Sequence, residues 1–178
     1  MNPAPIFFIT GTPGSGKSSL SRVLLQRFEF GLHLPIDDLR EFVVSGIAHP
    51  IPGTPETTRQ FRLARAAAMH SARMYALEGF VVVIDDVIFP HDVAQLETEF
   101  LTGFKLYKIL LRPRLEVALK RNATRSNKNF DTSLLESVIR DLYQNMNPEE
   151  YLAAGWKVLD SSDLSLEETA RRIDESQI

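Results

Sequence analysis

The chain has 178 residues, which is enough for one α/β domain with a substantial core and too few for a motor protein with additional modules. Its net charge of -3 argues against a constitutive nucleic-acid coat protein, and the absence of cysteine rules out disulfides and thiolate metal sites. Residues 1–10 lack the features of a signal peptide, and no apolar run approaches the ~18 residues of a membrane span, so we expect a single soluble, cytoplasmic domain over residues 1–178.

The first predicted elements flank a glycine-rich loop. A short apolar run over residues 6–9 predicts a buried parallel strand, and apolar residues at helical spacing predict a helix over 19–28. Between them the sequence fits the phosphate-binding pattern G-x-x-x-x-G-K-[ST] at every fixed position. The residues of this loop are Gly11, Thr12, Pro13, Gly14, Ser15, Gly16, Lys17 and Ser18. Because both flanking elements are of the required kind, an ordinary glycine turn is a poor alternative.

The residue types in this loop suit the binding of a triphosphate. The glycines allow successive backbone N–H groups to point at phosphate oxygens, and the helix that begins at Lys17 adds the positive end of its dipole. Lys17 would place its ammonium between the β- and γ-phosphates, and the hydroxyl of Ser18 would bind the Mg²⁺ that bridges them. We therefore expect ATP and Mg²⁺ at this loop, with Ser19 as a further nucleotide contact.

A second strand is predicted over residues 32–36, where it meets Asp37 and Asp38. A short helix is predicted over 39–45, closed by Gly46, and residues 47–53 are predicted to form a loop because of their proline and glycine content. His33 is interpreted as an ordinary strand residue, because no metal-binding pattern accompanies it.

A long helix is predicted to start at Thr54, a capping threonine followed by proline and an acid, and to run to residue 77. Small and aromatic residues of this helix are predicted to face the sheet, namely Phe61, Ala64, Ala68, Ala72 and Tyr75. Its arginines are Arg59, Arg62, Arg65 and Arg73. We interpret them as a solvated basic face, with a row of arginines facing a substrate as the alternative.

The clearest buried strand covers residues 80–84 and ends in Asp85 and Asp86. An acid that ends a strand beside a phosphate-binding loop can hold Mg²⁺ directly or through water. We therefore predict Asp85 as a metal ligand together with Ser18, with a purely structural acid as the alternative.

The remaining elements are strands over 104–111 and 156–159 and helices over 91–100, from 113 onward, over 134–146 and over 165–173. Their alternation predicts a three-layer α/β/α sandwich with a five-stranded parallel sheet. Residues 112–128 contain six basic residues and one acid in a chain that is acidic overall. We interpret the segment 112–131 as a helical lid that contacts phosphates, with a solvated charge run as the alternative.

The order of these motifs resembles the P-loop NTPase kinases related to phage polynucleotide 5′-hydroxyl kinase, with chloramphenicol phosphotransferases and zeta-type toxins as more distant relatives. The resemblance covers about residues 6–146. Besides the glycine loop, it rests on Asp37-Asp38-Leu39-Arg40, on the D-x-x-x-x-P of residues 85–90 and on a lid sequence over 119–125.

This resemblance implies ATP-dependent phosphorylation of a hydroxyl group. In that case Asp37 would be the general base, Arg40 would contact the acceptor or a phosphate, and Arg121 and Arg125 would contact the nucleotide from the lid. Polynucleotide kinases of this group commonly carry a second, phosphatase domain, and no stretch of this chain is left to form one. Residues 47–58 carry no recognisable acceptor signature.

We therefore expect a MgATP-dependent phosphotransferase that acts on a hydroxyl-bearing acceptor. A small molecule is favoured over a nucleic acid end, because the one dense basic stretch is already assigned to the triphosphate. A polynucleotide 5′-hydroxyl kinase is the narrower alternative, and a nucleotide-hydrolysing regulatory switch is the alternative of another class. A switch needs no acceptor base, so Asp37 and Arg40 discriminate against it.

Overall fold

Five strands and eight helices alternate along residues 2–124 and 135–174, the part of the chain that the computed structural model describes. The strands are β1 (Ile6–Thr10), β2 (Gly31–Pro35), β3 (Val81–Asp86), β4 (Leu106–Leu111) and β5 (Lys157–Leu159). The helices are α1 (Lys17–Leu25), α2 (Ile36–Glu41), α3 (Pro55–Leu77), α4 (Pro90–Phe100), α5 (Leu115–Ala123), α6 (Leu135–Asn145), α7 (Pro148–Ala153) and α8 (Leu166–Asp174).

The strands form one parallel sheet in the order β2-β3-β1-β4-β5. The central strand β1 is buried along its whole length, because helices cover both faces of the sheet. Phe7 and Ile9 pack with α1 and α8 on one face, whereas Ile6 and Phe8 pack with α3 and α4 on the other. The predicted three-layer α/β/α fold with five parallel strands is confirmed.

The boundary between β2 and α2 differs from the prediction. The strand ends at Pro35, and the helix begins at Ile36 and ends at Glu41, so Asp37 and Asp38 lie in the first helical turn and not ahead of a helix over 39–45. Pro35 has extended backbone angles (φ -74°, ψ 121°) and needs no N–H at this position. Carboxylates in a first turn are favoured by the helix dipole, which the strand prediction did not take into account.

Two further differences concern α3 and α7. Tyr75 was predicted to face the sheet, but it is 42 % exposed and its ring packs on Phe80, while Ala76 is fully buried instead. The helix α7 was not predicted, although Asn147 caps it by accepting a hydrogen bond from the N–H of Glu149 at 3.1 Å. An asparagine cap before a proline is a start signal that the sequence does contain.

The side chain of Tyr151 in α7 is completely buried, and its hydroxyl donates to the carbonyl of Ile88 at 2.8 Å. The hydroxyl of Thr10 at the end of β1 donates to the same carbonyl at 3.0 Å. These bonds fix the chain just after the two aspartates of β3.

Within residues 2–124 and 135–174, none of the helices combines the length and apolar character needed to span a lipid bilayer.

Candidate active site

The glycine loop lies between β1 and α1, as predicted, and the close approach of another helix explains one of its glycines. A Cβ at Gly14 would lie 2.2 Å from the carbonyl oxygen of Ala118 in α5, so only glycine fits there. Gly16 precedes α1 with a φ of 99°, a left-handed conformation that also favours glycine. The loop is thus packed directly against the helix that carries Arg121.

Lys17 lies at the start of α1 and folds back over the loop. Its Nζ donates to the carbonyls of Gly11 at 2.9 Å and Thr12 at 3.2 Å. Thr12 and Ser15, two further predicted nucleotide contacts, are buried residues of the loop. The ammonium is therefore held at the mouth of the loop, where an incoming phosphate would replace carbonyl acceptors with stronger, anionic ones.

Asp85 ends β3 directly beside the loop, because β3 and β1 are neighbours in the sheet and Asp85 is paired with Ile9. The hydroxyl of Ser18 lies 3.4 Å from Oδ1 of Asp85, and Asp85 is buried. A hydroxyl and a carboxylate are the hard oxygen donors that Mg²⁺ prefers, and Mg²⁺ usually keeps several water ligands beside such a pair. The residues present therefore fit the predicted ion.

His33 was interpreted as an ordinary strand residue, and the structure corrects this. Its Nε2 lies 2.5 Å from Oδ2 of Asp85. An ionised carboxylate can only accept, so the imidazole tautomer with its proton on Nε2 fits this contact. The contact arises because β2 lies next to β3 with His33 opposite Val83, so His33 and Asp85 project from the same face of the sheet. Strand order is not visible in the sequence, which is why this neighbour was missed.

A cleft of about 510 Å³ opens on the α1 side of the loop. Its walls include Gly14, Gly16, Lys17, Ser18, Ser19, Arg22, Arg121, Thr124, Leu164 and Leu166. Arg121 faces it from α5 and donates to the carbonyls of Ser161 at 3.1 Å and Ser15 at 3.5 Å. Six of the predicted nucleotide contacts thus line one cleft, and Arg22, Leu164 and Leu166 are lining residues that sequence reasoning missed.

The basic residues that the structure describes in the run over 112–128, those up to residue 124, do not form one surface. Arg112 donates to the carbonyls of Tyr143 and Met146 at 2.9 and 3.0 Å, so it caps the end of α6. Arg114 forms a bidentate pair with Asp163 at 2.7 and 2.8 Å, and this hydrogen-bonded guanidinium lowers the pKa of Asp163. Of the two arginines assigned to the lid, Arg121 faces the cleft, whereas Arg125 lies outside the described residues.

A second cavity of about 420 Å³ lies on the other side of the loop. The polar groups in its wall are Asp37, Arg40, Glu41, His49, Arg65 and Asp86. Its apolar wall consists of Ile47, Ala48, Pro50, Ile51, Phe61, Val87, Leu135, Val138 and Leu142, with Pro13 from the loop. The structure therefore brings the predicted base Asp37 and the predicted acceptor contact Arg40 into one cavity.

Asp86 and Arg65 are an ion pair of this second cavity that the sequence did not reveal. Successive side chains of a strand point to opposite faces, so Asp86 faces away from Asp85 and toward α3. The Nε of Arg65 donates to Oδ2 of Asp86 at 2.7 Å, and the N–H of Val87 donates to Oδ1 at 2.7 Å. Burial raises the pKa of Asp86, the charge of Arg65 opposes this, and the carboxylate of Asp37 raises the pKa further.

The arginines of α3 are divided between two roles. Arg65 faces the cavity, while Arg59 is exposed and pairs with Glu56 at 3.2 Å. Arg62 is also exposed, and Arg73 lies over the ring of Phe104 at 5.6 Å. The favoured solvated face therefore describes Arg59, Arg62 and Arg73, which are all exposed, and the alternative of a substrate-facing arginine describes Arg65 alone.

The outer wall of the cavity, residues 46–51, is held to α3 and α2 by side chains. Gln60 accepts from the N–H of Ala48 at 2.9 Å and donates to the carbonyl of Gly46 at 2.8 Å. The hydroxyl of Thr57 donates to the carbonyl of His49 at 2.8 Å, and Arg40 donates to the carbonyl of Ala48. Thr57 and Gln60 are buried, so this loop is fixed by polar contacts that replace water.

The family model of chloramphenicol phosphotransferase-like proteins matches residues 4–176. The match does not confirm the predicted resemblance to phage polynucleotide kinase. It agrees instead with the chloramphenicol phosphotransferases, which the sequence analysis named as more distant relatives. The part of the chain in the match includes both cavities and the loop between them. No curated protein sequence is similar enough to the chain to match it.

Solved structures agree with the fold. A shikimate kinase from Acinetobacter baumannii has a TM-score of 0.66 at 17 % identity, and the alignment covers 98 % of this chain and 93 % of the shikimate kinase chain. A gluconokinase from Sinorhizobium meliloti has a TM-score of 0.64 at 19 % identity, with coverages of 97 % and 90 %. The tunicamycin resistance protein of Deinococcus radiodurans has a TM-score of 0.65 at 17 % identity, with coverages of 97 % and 95 %. At such identities the likeness concerns the fold alone.

Proposed function

This chain belongs to the chloramphenicol phosphotransferase-like family, and from that premise we propose that it transfers the γ-phosphate of ATP to a hydroxyl group of a small molecule. The nucleotide would occupy the cleft of about 510 Å³ and the acceptor the cavity of about 420 Å³. Both volumes lie in the range of roughly 300–1,000 Å³ that is usual for small-molecule sites.

One observation carries this proposal: the two cavities meet at the phosphate-binding loop. Pro13 lines the acceptor cavity, and the next residue, Gly14, lines the nucleotide cleft. The γ-phosphate held by the loop would therefore lie at the boundary between them, where a hydroxyl from the second cavity can reach it. Direct transfer requires this arrangement, because positioning supplies most of the catalysis in phosphoryl transfer.

The residues around that boundary supply the chemistry. The acceptor oxygen attacks the γ-phosphorus, the bond to the β–γ bridging oxygen breaks, ADP leaves, and the acceptor proton passes to the carboxylate of Asp37. Lys17 and Arg121 neutralise the charge that is redistributed over the phosphates, and Arg40 contacts the acceptor. Arg125 remains a proposed lid contact that lies outside the described residues.

Ser18 and Asp85 would hold Mg²⁺, which when bound neutralises phosphate charge and orients the triphosphate. The short contact of His33 with Oδ2 of Asp85 leaves Oδ1 directed toward Ser18. The metal ligands of the protein are therefore oriented before any ion arrives.

The acceptor cavity supports a small molecule over a nucleic acid end. Most of its lining side chains are apolar, and the charged side chains are Asp37, Arg40, Glu41, Arg65 and Asp86. A nucleic acid strand needs several cationic contacts along its phosphates, and Arg112 and Arg114 are engaged in contacts within the protein. We propose an acceptor that combines a reactive hydroxyl with an apolar body.

The direct test measures ADP release and acceptor phosphorylation together for a panel of hydroxyl compounds. The panel contains chloramphenicol, shikimate, gluconate and a 5′-hydroxyl oligonucleotide, followed by amphipathic alcohols. We expect ADP release to rise with one acceptor and to equal the phosphorylated product in amount. ATP hydrolysis that no acceptor stimulates would contradict the proposal and favour the regulatory switch.

Salt dependence separates the remaining alternative. A strand contacted at several phosphates loses affinity with a log-log slope near -0.7 per neutralised phosphate, whereas a small acceptor shows almost no slope. We expect a shallow slope. A steep slope with the oligonucleotide as the best substrate would identify a polynucleotide kinase instead.

A further inference from the structure

The two oxygens of the Asp85 carboxylate have different partners. Oδ1 lies 3.4 Å from the hydroxyl of Ser18, and Oδ2 lies 2.5 Å from Nε2 of His33. Across residues 2–124 and 135–174, these two side chains are the hydrogen-bond partners of this carboxylate. The carboxylate is therefore held closely at Oδ2 and only loosely at Oδ1, the oxygen that faces the phosphate-binding loop.

His33 is best explained by this contact. It lies on β2, the edge strand, opposite Val83, and its side chain is only 14 % exposed. In the described part of the chain, Asp85 is the hydrogen-bond partner of its ring. Burying a polar ring costs free energy unless the ring forms a hydrogen bond, so the interaction with Asp85 is what the imidazole contributes at this position.

The protein offers few ligands to an ion beside Ser18 and Asp85. Among residues 2–124 and 135–174, no group of three or more His, Asp or Glu side chains is placed to hold a metal. Asp86 faces the other side of the sheet, where Arg65 donates to it at 2.7 Å. Phosphate oxygens and water must therefore complete the coordination shell. Such a shell is typical of Mg²⁺, which keeps several waters and needs only one or two carboxylates.

Ca²⁺ would make a different demand on Asp85. It binds about six to eight oxygens in a flexible shell and often takes both oxygens of one carboxylate, whereas Mg²⁺ requires a compact octahedron. To offer both oxygens, Asp85 would have to break its contact with His33 and turn inside a buried site. That loss costs free energy for the larger ion, while an ion that needs Oδ1 alone leaves the contact intact.

We propose that His33 is a positioning residue that restricts Asp85 to one oxygen for the ion and thereby selects Mg²⁺ over Ca²⁺. This inference rests on the proposed function only in placing the ion and the nucleotide phosphates at the glycine loop, and it is independent of the acceptor. A His33–Asp85 pair that merely stabilised the pairing of β2 with β3 would not change which ion is preferred.

The test compares two complexes of ADP with the wild-type protein. The dissociation constant of ADP is measured by calorimetry in saturating Mg²⁺ and again in saturating Ca²⁺. Since ADP carries an ion in both experiments, the ratio of the two constants reports the preference that the protein adds to that of ADP. We expect MgADP to bind about tenfold or more tightly than CaADP. Equal affinities overturn the proposal, even if no variant of His33 folds.

Variants then assign the preference to one hydrogen bond. His33→Phe keeps a ring but cannot donate, and its preference for MgADP is expected to fall about tenfold, as is usual when a metal ligand loses its supporting partner. His33→Gln still offers an N–H and carries no charge, so it is expected to retain most of the preference. His70→Phe, the same replacement at an exposed position of α3, is the matched control and is expected to retain it fully.

The outcome of these measurements is separate from that of the phosphotransferase assay. An undiminished preference for MgADP in His33→Phe, with its fold checked by circular dichroism, overturns the proposal and leaves the kinase unaffected. A preference that depends on His33, in a protein that phosphorylates no acceptor, retains the proposal and removes the kinase.

Discussion

The two sides of the phosphate-binding loop are built in different ways. The proposed nucleotide side depends chiefly on consecutive residues, Gly11 to Ser18, which would bind phosphates through backbone groups and the start of one helix. The acceptor side combines side chains from α2, α3, β3 and α6 with the loop 46–51. A local motif thus forms one side, and tertiary packing forms the other.

The two sides also share one strand end. Asp85 and Asp86 are neighbours in the chain, yet Asp85 lies beside Ser18 and Asp86 lies beside Arg65. The alternation of a strand places one carboxylate on each face of the sheet. One strand can therefore contribute to both proposed sites, because both lie at the carboxyl end of that strand.

The largest expected effect is on the acceptor side. Asp37→Asn keeps the size of the side chain but cannot accept the acceptor proton, so the transfer rate should fall by roughly 10² to 10⁴. Melting temperature and ADP affinity should change little. Asp38→Asn, one residue further in the same helical turn, is the control and should be milder. Full transfer activity in Asp37→Asn would show that Asp37 is no base.

On the nucleotide side, Lys17→Ala should lower the rate of transfer by roughly 10² to 10³, because it removes a charge contact to the transferred phosphoryl group. The fold should be retained, since the ammonium donates to the loop carbonyls of Gly11 and Thr12 near the surface. Circular dichroism checks the fold, and single-turnover kinetics check the rate. Unchanged turnover would remove the loop from the mechanism.

A smaller effect distinguishes the two sides by their substrates. Gln60→Leu removes both hydrogen bonds that hold Gly46 and Ala48, so the wall of the acceptor cavity should loosen and the KM for the acceptor should rise about tenfold, which corresponds to roughly 1.4 kcal/mol. The affinity for ADP should not change. Arg59→Gln, the adjacent exposed position, serves as the matched control. A parallel loss of ADP affinity would show that Gln60 supports the whole fold and not the acceptor wall.

The smallest effect concerns Arg114, which the sequence assigned to phosphate binding. Arg114 lowers the pKa of Asp163, so their pair stabilises the protein above the ordinary pKa of an aspartate and loses this contribution as pH falls through the lowered value. Asp163→Asn should therefore lower Tm slightly at pH 7 and not at all near pH 2. Its ADP affinity should equal that of the wild type. A clear loss of ADP affinity would return Arg114 to the nucleotide side.

The sequence by itself determined the order of the strands and of the described helices except α7, the glycine loop and the acid at the end of β3. These features are local: a phosphate-binding loop needs consecutive residues with particular backbone freedom, and a buried parallel strand needs a continuous apolar run. It also placed Asp37 and Arg40 in one candidate site, although the start of their helix was three residues too late in the prediction.

The tertiary structure alone decided which side chains meet. His33 reaches Asp85 because β2 lies next to β3, and Arg65 reaches Asp86 because α3 covers that face of the sheet. Arg112 binds the carbonyls of Tyr143 and Met146, and Arg114 binds Asp163. These partners lie far along the chain, so the sequence could not show that both arginines are used within the protein. A charge pattern shows how many cations a segment has, whereas the packing of distant elements determines whether each of them has a partner within the protein or is left for a ligand.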